Sequence, residues 1–162
     1  MAKATGARAA KTRYRIAVQN RRARHDYFID STLEAGLALA GTEVKSLREG
    51  RGSLADAWAG ERKGELWLFS AYIPEYAAAS RFNHDTRRPR RLLVHRRERD
   101  RLIGAVRREG VTLVPLSIYF NERGYAKVEL GVARGKRKYD KRETEKRRDW
   151  ERQKSRLLRE QG

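Results

Sequence analysis

The sequence predicts a mainly β fold, a small antiparallel barrel flanked by about three α-helices, with a basic C-terminal tail. Several short apolar segments are separated by hairpin-like turns, which favours antiparallel strands. The strict β-α-β alternation of a doubly wound parallel sheet is missing. The 162 residues suffice for one compact domain with extensions. A barrel of five or six strands, of the type that binds oligonucleotides, is the simplest assignment.

The strands are predicted from apolar periodicity and from turn residues. Residues 25–30 form a short entering strand, and apolar residues alternate along 33–39 in the manner of a half-buried strand. Residues 54–59 and 66–73 flank a hairpin loop at 60–64, and 111–120 and 125–133 flank a second at 121–124. Residues 91–95 form a further short strand, and 75–90 form a long surface loop.

Two internal helices are predicted between the strands. The first follows Thr42 and can end at Gly50. The second covers residues 96–109, where Leu102, Ile103 and Val106 form an apolar stripe and Gly110 follows the C-terminus.

The charge of the chain indicates a polyanionic partner. Lys and Arg number 39 against 21 Asp and Glu, which gives a formal net charge of +18. Residues 1–25 contain eight Lys and Arg and no acid. We therefore divide the chain into a flexible basic extension (1–15), an RNA-binding barrel domain (16–133) and a basic tail (134–162).

The tail has almost nothing to bury in a core. Its large aliphatic and indole side chains are Trp150, Leu157 and Leu158, too few and too far apart for the stripe of a packed helix. Its lysines and arginines gain free energy by neutralising phosphates and releasing counterions. We expect the tail to be disordered alone and to become helical on RNA.

The composition disfavours several classes of protein. The absence of cysteine excludes disulfides, cysteine-ligated zinc and a cysteine nucleophile, and it fits a cytoplasmic location. No segment is apolar and long enough to cross a bilayer, and we expect that the basic N-terminus is not a secretory signal because no apolar stretch follows it. His25, His84 and His95 lack the spacing of metal ligands, and His84 and His95 are expected to be isolated surface residues, so we expect neither a metal site nor a cofactor.

A basic patch near the N-terminus is the first candidate RNA contact. It comprises Asn20, Arg21, Arg22, Arg24 and His25, followed by the aromatic pair at 27–28. Arginines bind phosphates in bidentate fashion and aromatic rings stack on bases. The alternative is a solvated charged edge with the rings in the core. His25 fits a contact with RNA and a cap at the start of a strand equally well.

Glu34 is an acid on a predicted strand of a basic protein. It either pairs with a neighbouring arginine or accepts a hydrogen bond from a base amino group. A magnesium-dependent ribonuclease would need paired carboxylates, and no spacing favours one. The candidate acids for it are Asp26, Asp30, Glu34, Glu43, Asp56 and Glu65. We therefore predict no catalytic residues and no enzymatic activity.

Five segments together resemble the SmpB family, small proteins that bind transfer-messenger RNA in bacterial trans-translation. They cover residues 20–29 (NRRARHDYFI), 34–48, 91–95, 110–116 and 131–142, in the order of the family. The resemblance implies an oligonucleotide-binding barrel that holds the tRNA-like domain of transfer-messenger RNA near its elbow. It also implies the ribosome as a partner, with elongation factor Tu in the same delivery complex.

The resemblance also implies which residues contact RNA. On the body these are Asn20, Glu34, Leu93 and Lys127, together with the arginines and His25 of the same motif. In the tail, which reaches in the family from the decoding centre into the empty mRNA channel, they are Gly135, Lys136, Arg137, Tyr139, Asp140, Lys141, Arg142 and Trp150. The family often has lysine at Arg134 and Arg137, and histidine in some members at Tyr139. A ribosomal or ribosome-assembly protein with basic tails is the alternative.

Overall fold

The computed structural model describes residues 15–79, 82–135 and 138–160. Within them lie seven strands and four helices. In chain order they are β1 (Arg15–Gln19), α1 (Ala23–Asp26), β2 (Tyr27–Leu37), α2 (Gly41–Arg48), β3 (Trp58–Arg62), β4 (Glu65–Phe69), β5 (Arg90–Leu93), α3 (Arg96–Glu109), β6 (Thr112–Phe120), β7 (Ala126–Gly135) and α4 (Lys138–Glu160).

All seven strands belong to one antiparallel sheet that closes on itself. The ring runs β6-β3-β4-β5-β2-β7 and returns to β6, while β1 pairs with the C-terminal half of β6 as a seventh strand. One edge of β6 pairs with two strands in succession: Leu113 pairs with β3, and residues 117–120 pair with β1. The predicted mainly β, antiparallel class with about three flanking helices is thus confirmed; six strands form the closed ring and β1 is added as a seventh.

The core fills the inside of the ring. In β4 and β5 buried residues alternate with more exposed ones, and Leu68, Leu92, Val128 and Leu130 of the ring point inward, all at most 1% exposed. This is the period-2 pattern of strands with one buried face. The helices close the core, α2 through Leu47 and α3 through Leu102 among other residues. Burial of such side chains contributes roughly 1.5–3 kcal/mol each before entropy is counted.

The structure corrects several predicted boundaries. Residues 25–30 and 33–39 are not two strands: α1 comes first, and one long strand, β2, carries a bulge between Ile29 and Ser31. Gly60 lies within β3, paired with Trp67, and the turn is only Lys63–Gly64. Both turn residues have positive φ, at 53° and 77°, the requirement of a tight two-residue hairpin. β1 was not predicted.

His84 is not the isolated surface residue that its sequence position suggested. It is 9% exposed, and its Nε2 donates to the carbonyl of Ile73 at 2.8 Å. Its Nδ1 lies 2.9 Å from the hydroxyl of Thr42. This histidine therefore ties the loop before β5 to α2.

The helix α4 has 23 residues, so it is about 35 Å long. Its start lies against α1. Trp150, Leu157 and Leu158 are all more than half exposed. No helix in the described ranges is long and apolar enough to span a membrane.

Candidate nucleic-acid interface

Three of the residues predicted to contact RNA meet on the outer face of β5, β2 and β7. Gly36 of β2 is paired with Leu93 on one side and with Lys127 on the other, and Glu34 lies two positions before Gly36 on the same face of β2. A Cβ at Gly36 would lie 3.1 Å from the Cβ of Leu93, so the glycine leaves room for the half-exposed leucine. We call Glu34, Leu93 and Lys127 the strand-face cluster.

The carboxylate of Glu34 is shared between two donors. Its Oε1 lies 3.9 Å from the Nζ of Lys127, and its Oε2 accepts a hydrogen bond from the hydroxyl of Tyr119. Glu34 also lies directly opposite Glu129 in the β2–β7 register. Like charges opposite one another destabilise a sheet, and a partly exposed ion pair contributes little. Glu129 in turn accepts a hydrogen bond from the hydroxyl of Ser117 at 3.5 Å.

The basic patch follows β1. The backbone N–H of Asn20 donates to the carbonyl of Leu116 at 2.8 Å, and its side-chain amide donates to Pro115 O at 3.0 Å. Asn20 is thus fixed to β6 by its own hydrogen bonds, three residues before α1 begins at Ala23. Ala23 is 2% exposed and anchors α1 on the body. The three arginines, Arg21, Arg22 and Arg24, are exposed.

His25 faces the tail helix in this structure. Its Nδ1 lies 3.1 Å from an oxygen of Asp26, and its Nε2 lies 2.9 Å from an oxygen of Glu145 in α4. Its side chain is 18% exposed. Of the aromatic pair that follows, Tyr27 is partly buried and Phe28 is 48% exposed.

A cavity of about 330 Å³ joins the basic patch to Glu34. It lies beside a bulge in β6, where the pairing with β7 steps from Pro115 to Ser117 and leaves Leu116 as the extra residue. We call it the bulge cavity. Its lining residues are Ile16, Gln19, Asn20, Arg24, Glu34, Leu116, Ser117, Tyr119 and Glu129.

A second cavity, of about 480 Å³, lies on the other side of Glu34. Leu93 and Lys127 line it, together with Arg96 and Arg99 from the first turn of α3. Glu34 therefore stands between the two cavities. The structure places Asn20 and Arg24 on one side of it and Leu93 and Lys127 on the other.

The predicted tail residues lie apart from this face or outside the described residues. Gly135 pairs with Tyr27 as the last residue of β7. Lys136 and Arg137 are not among the described residues. The backbone of Tyr139, Asp140 and Lys141 belongs to the first turn of α4. Arg142 and Trp150 are exposed further along the helix.

Sequence reasoning missed Ser117, Tyr119 and Glu129. Glu129 stands two residues after Lys127 on a strand, where alternate residues share a face, so its position on the same face as Lys127 could have been predicted. Tyr119 and Ser117 need the β6–β7 register with its bulge, which the sequence does not reveal.

The six acids considered for a nuclease each have a basic partner in this structure. No group of three or more His, Asp or Glu in the described ranges could hold a metal ion. The pairs are Asp26–His25, Asp30–Arg134, Glu34–Lys127, Glu43 with Arg88 and Arg90, Asp56–Arg87, and Glu65 with Arg91 and Arg99.

Comparisons with known proteins agree over nearly the whole chain. The model of the SmpB protein family matches residues 17–160. An SsrA-binding protein of Bradyrhizobium diazoefficiens is 57% identical over 148 residues, which are 91% of this chain and 94% of that protein. One of Methylobacterium nodulans is 60% identical with the same coverage. A solved structure described as "tmRNA-SmpB: a journey to the center of the bacterial ribosome" is 56% identical, with a TM-score of 0.63 over 77% of this chain and 91% of that one.

Proposed function

The chain belongs to the SmpB family, and on that basis we propose that it binds the tRNA-like domain of transfer-messenger RNA and delivers it to stalled ribosomes for trans-translation. The similar proteins are SsrA-binding proteins, and the similar solved structure is of SmpB with this RNA and the ribosome. The observation that carries the proposal for this chain is the strand-face cluster next to the basic patch.

The body offers the mixed chemistry that structured RNA needs. Exposed Arg21 and Arg22 suit phosphates, and exposed Arg24 suits a phosphate or a base edge, since guanidinium groups bind both in bidentate fashion. Lys127 can neutralise a further phosphate, and half-exposed Leu93 gives an apolar surface for a ribose or a base. Glu34 can accept from a base amino group. Phosphate contacts would position the RNA, and the remaining contacts would select it.

The tail would engage a different RNA. Residues 138–160 carry ten Lys and Arg against six Asp and Glu. We propose that this exposed helix enters the decoding centre and the empty mRNA channel, with elongation factor Tu in the same delivery complex. A message that still fills the channel would compete for the space, so selection of stalled ribosomes would be steric. The proposed ribosome contacts are Gly135, Lys136, Arg137, Tyr139, Asp140, Lys141, Arg142 and Trp150.

Binding to the isolated tRNA-like domain tests the proposal. We expect the full chain to prefer this domain to bulk tRNA at physiological salt. Glu34→Ala with Lys127→Ala should weaken binding about ten- to hundredfold, the size of one or two specific contacts, without changing the melting temperature. Glu109→Ala with Lys154→Ala removes the same charges elsewhere and is the matched control. Equal affinity of the wild type for the domain and bulk tRNA would refute the proposal.

A further inference from the structure

We propose that the bulge cavity is a binding site for one unstacked guanine base of the bound RNA. This inference rests on the proposed function, because it concerns the same RNA-binding face, and it names the nucleotide that the face would select. Proteins that read RNA sequence take bases that are splayed out of the helix and recognise their edges.

The cavity is part of the sheet itself. Pro115 has no N–H to give to the ladder, and proline within a sheet is placed at edges and bulges. Here the bulge leaves Leu116 without a register partner on β7. Asn20 donates hydrogen bonds to the carbonyls of Pro115 and Leu116. β1 bulges as well, between Ile16 and Val18. The cavity therefore lies between two bulged strands, and Asn20 fixes the bulge of β6 through one backbone and one side-chain hydrogen bond.

The size and walls of the cavity suit a flat ring. Its volume of about 330 Å³ lies at the lower end of the range for small-ligand sites. Ile16, which is 53% exposed, and Tyr119 are cross-strand neighbours, and Leu116 adds a third apolar group. Apolar and aromatic side chains of this kind hold the faces of extruded bases.

The polar groups of the cavity favour a ligand edge rich in donors. Glu34 and Glu129 lie opposite each other, and ionised carboxylates only accept hydrogen bonds. Guanine presents N1–H and the N2 amino group side by side, so one carboxylate can accept from both. Arg24, on the same cavity, can donate to O6 and N7, the pairing by which arginine reads guanine. Adenine, cytosine and uracil each present fewer donors on one edge.

The same acids argue against other occupants. Two carboxylates on an RNA-binding surface repel phosphate, so the cavity is not a backbone site. A metal site would need further ligands, and none of the described His, Asp or Glu residues form a group of three.

Short labelled RNAs test the inference on the full-length protein. The pentaribonucleotides UUGUU, UUIUU (with inosine, which lacks the N2 amino group) and UUUUU are titrated at one fixed salt concentration and followed by fluorescence anisotropy. We expect UUGUU to bind about fivefold or more tightly than UUIUU. The variant Glu129→Gln should lose this preference and bind UUGUU more weakly, while the control Glu109→Gln should keep it.

Electrostatics alone predicts the reverse for Glu129→Gln, because removal of a negative charge strengthens binding to all three RNAs. That outcome, with the preference unchanged, would overturn the inference, as would a wild type that does not distinguish guanosine from inosine. The wild-type comparison stands even if the variant does not fold. Titration of the tRNA-like domain in parallel separates this inference from the proposed function. Normal binding of the domain without a guanine preference would refute this inference alone. A guanine preference without selectivity for the domain would refute only the proposed function.

Discussion

At the scale of single residues, the most constrained group is a buried ion pair. Glu43 of α2 and Arg90 of β5 are both fully buried and joined by a hydrogen bond, and Arg88 binds the same carboxylate. Arg90 also donates to the carbonyl of Ala71 at 2.7 Å. Burial by itself raises the pKa of Glu43, but hydrogen bonds from Arg88, from the N–H of Ala40 and from Arg90 hold the pKa below its ordinary value.

The buried pair of Glu43 and Arg90 leads to a prediction for the free energy of unfolding of the variant Glu43→Gln. Glu43→Gln leaves Arg90 buried without its counter-charge, so we expect a loss of about 3–5 kcal/mol in the free energy of unfolding at pH 7. Glu109→Gln, an exposed control, should change it by less than about 0.5 kcal/mol. Denaturant unfolding measures both. An effect of Glu43→Gln no larger than that of the control would contradict the role given to the pair.

The sign of the pH dependence follows from the lowered pKa. Glu43 stabilises the fold fully above its unfolded-state pKa, and the stabilisation is lost as the pH falls through the folded-state value. The difference between wild type and Glu43→Gln should therefore shrink in acid below about pH 4.5. A difference that grows as the pH falls would mean that the carboxylate is not held by its arginines.

At the scale of elements, apolar periodicity and turn residues predicted both internal helices and most of the strands. The helices α2 and α3 were predicted, and Gly50 and Gly110 follow them with φ of 75° and 65°. Leu93 and Lys127 were assigned through the family, and both strands carrying them were predicted. β1 was missed because it is short, and only its pairing with β6 identifies it as a strand. The bulges were missed because an extra residue is defined by the partner strand.

The contact between α1 and α4 gives an element-scale prediction. Glu145 holds His25 at 2.9 Å, and both residues are partly open to solvent, so the contact contributes at most about 1 kcal/mol. Glu145→Gln should speed amide hydrogen exchange in the first half of α4 by up to about fivefold. Glu151→Gln, on the exposed part of the same helix, is the control. Equal exchange in the two variants would show that the contact does not stabilise α4.

At the scale of the whole molecule, the two proposed RNA-binding surfaces lie on separate parts of the chain. The strand-face cluster and the bulge cavity belong to the closed sheet, while Arg142 and Trp150 lie on a helix that follows β7. The pairing of β7 with β2 extends to the last two residues of β7, since Arg134 pairs with Phe28 and Gly135 pairs with Tyr27. A cut after Gly135 therefore keeps every strand of the sheet. A cut after Ala133 would remove two paired residues and the ion pair of Arg134 with Asp30.

The central claim is that the body and the tail hold different RNAs, and truncation after Gly135 tests it most directly. The truncated and full chains are compared for preference of the tRNA-like domain over bulk tRNA, and for peptide tagging on ribosomes stalled at the end of a message. We predict that the truncated chain keeps the preference within about twofold, since distant sites act independently, and that tagging is abolished. Loss of the preference, or tagging that survives without residues 136–162, would contradict the account.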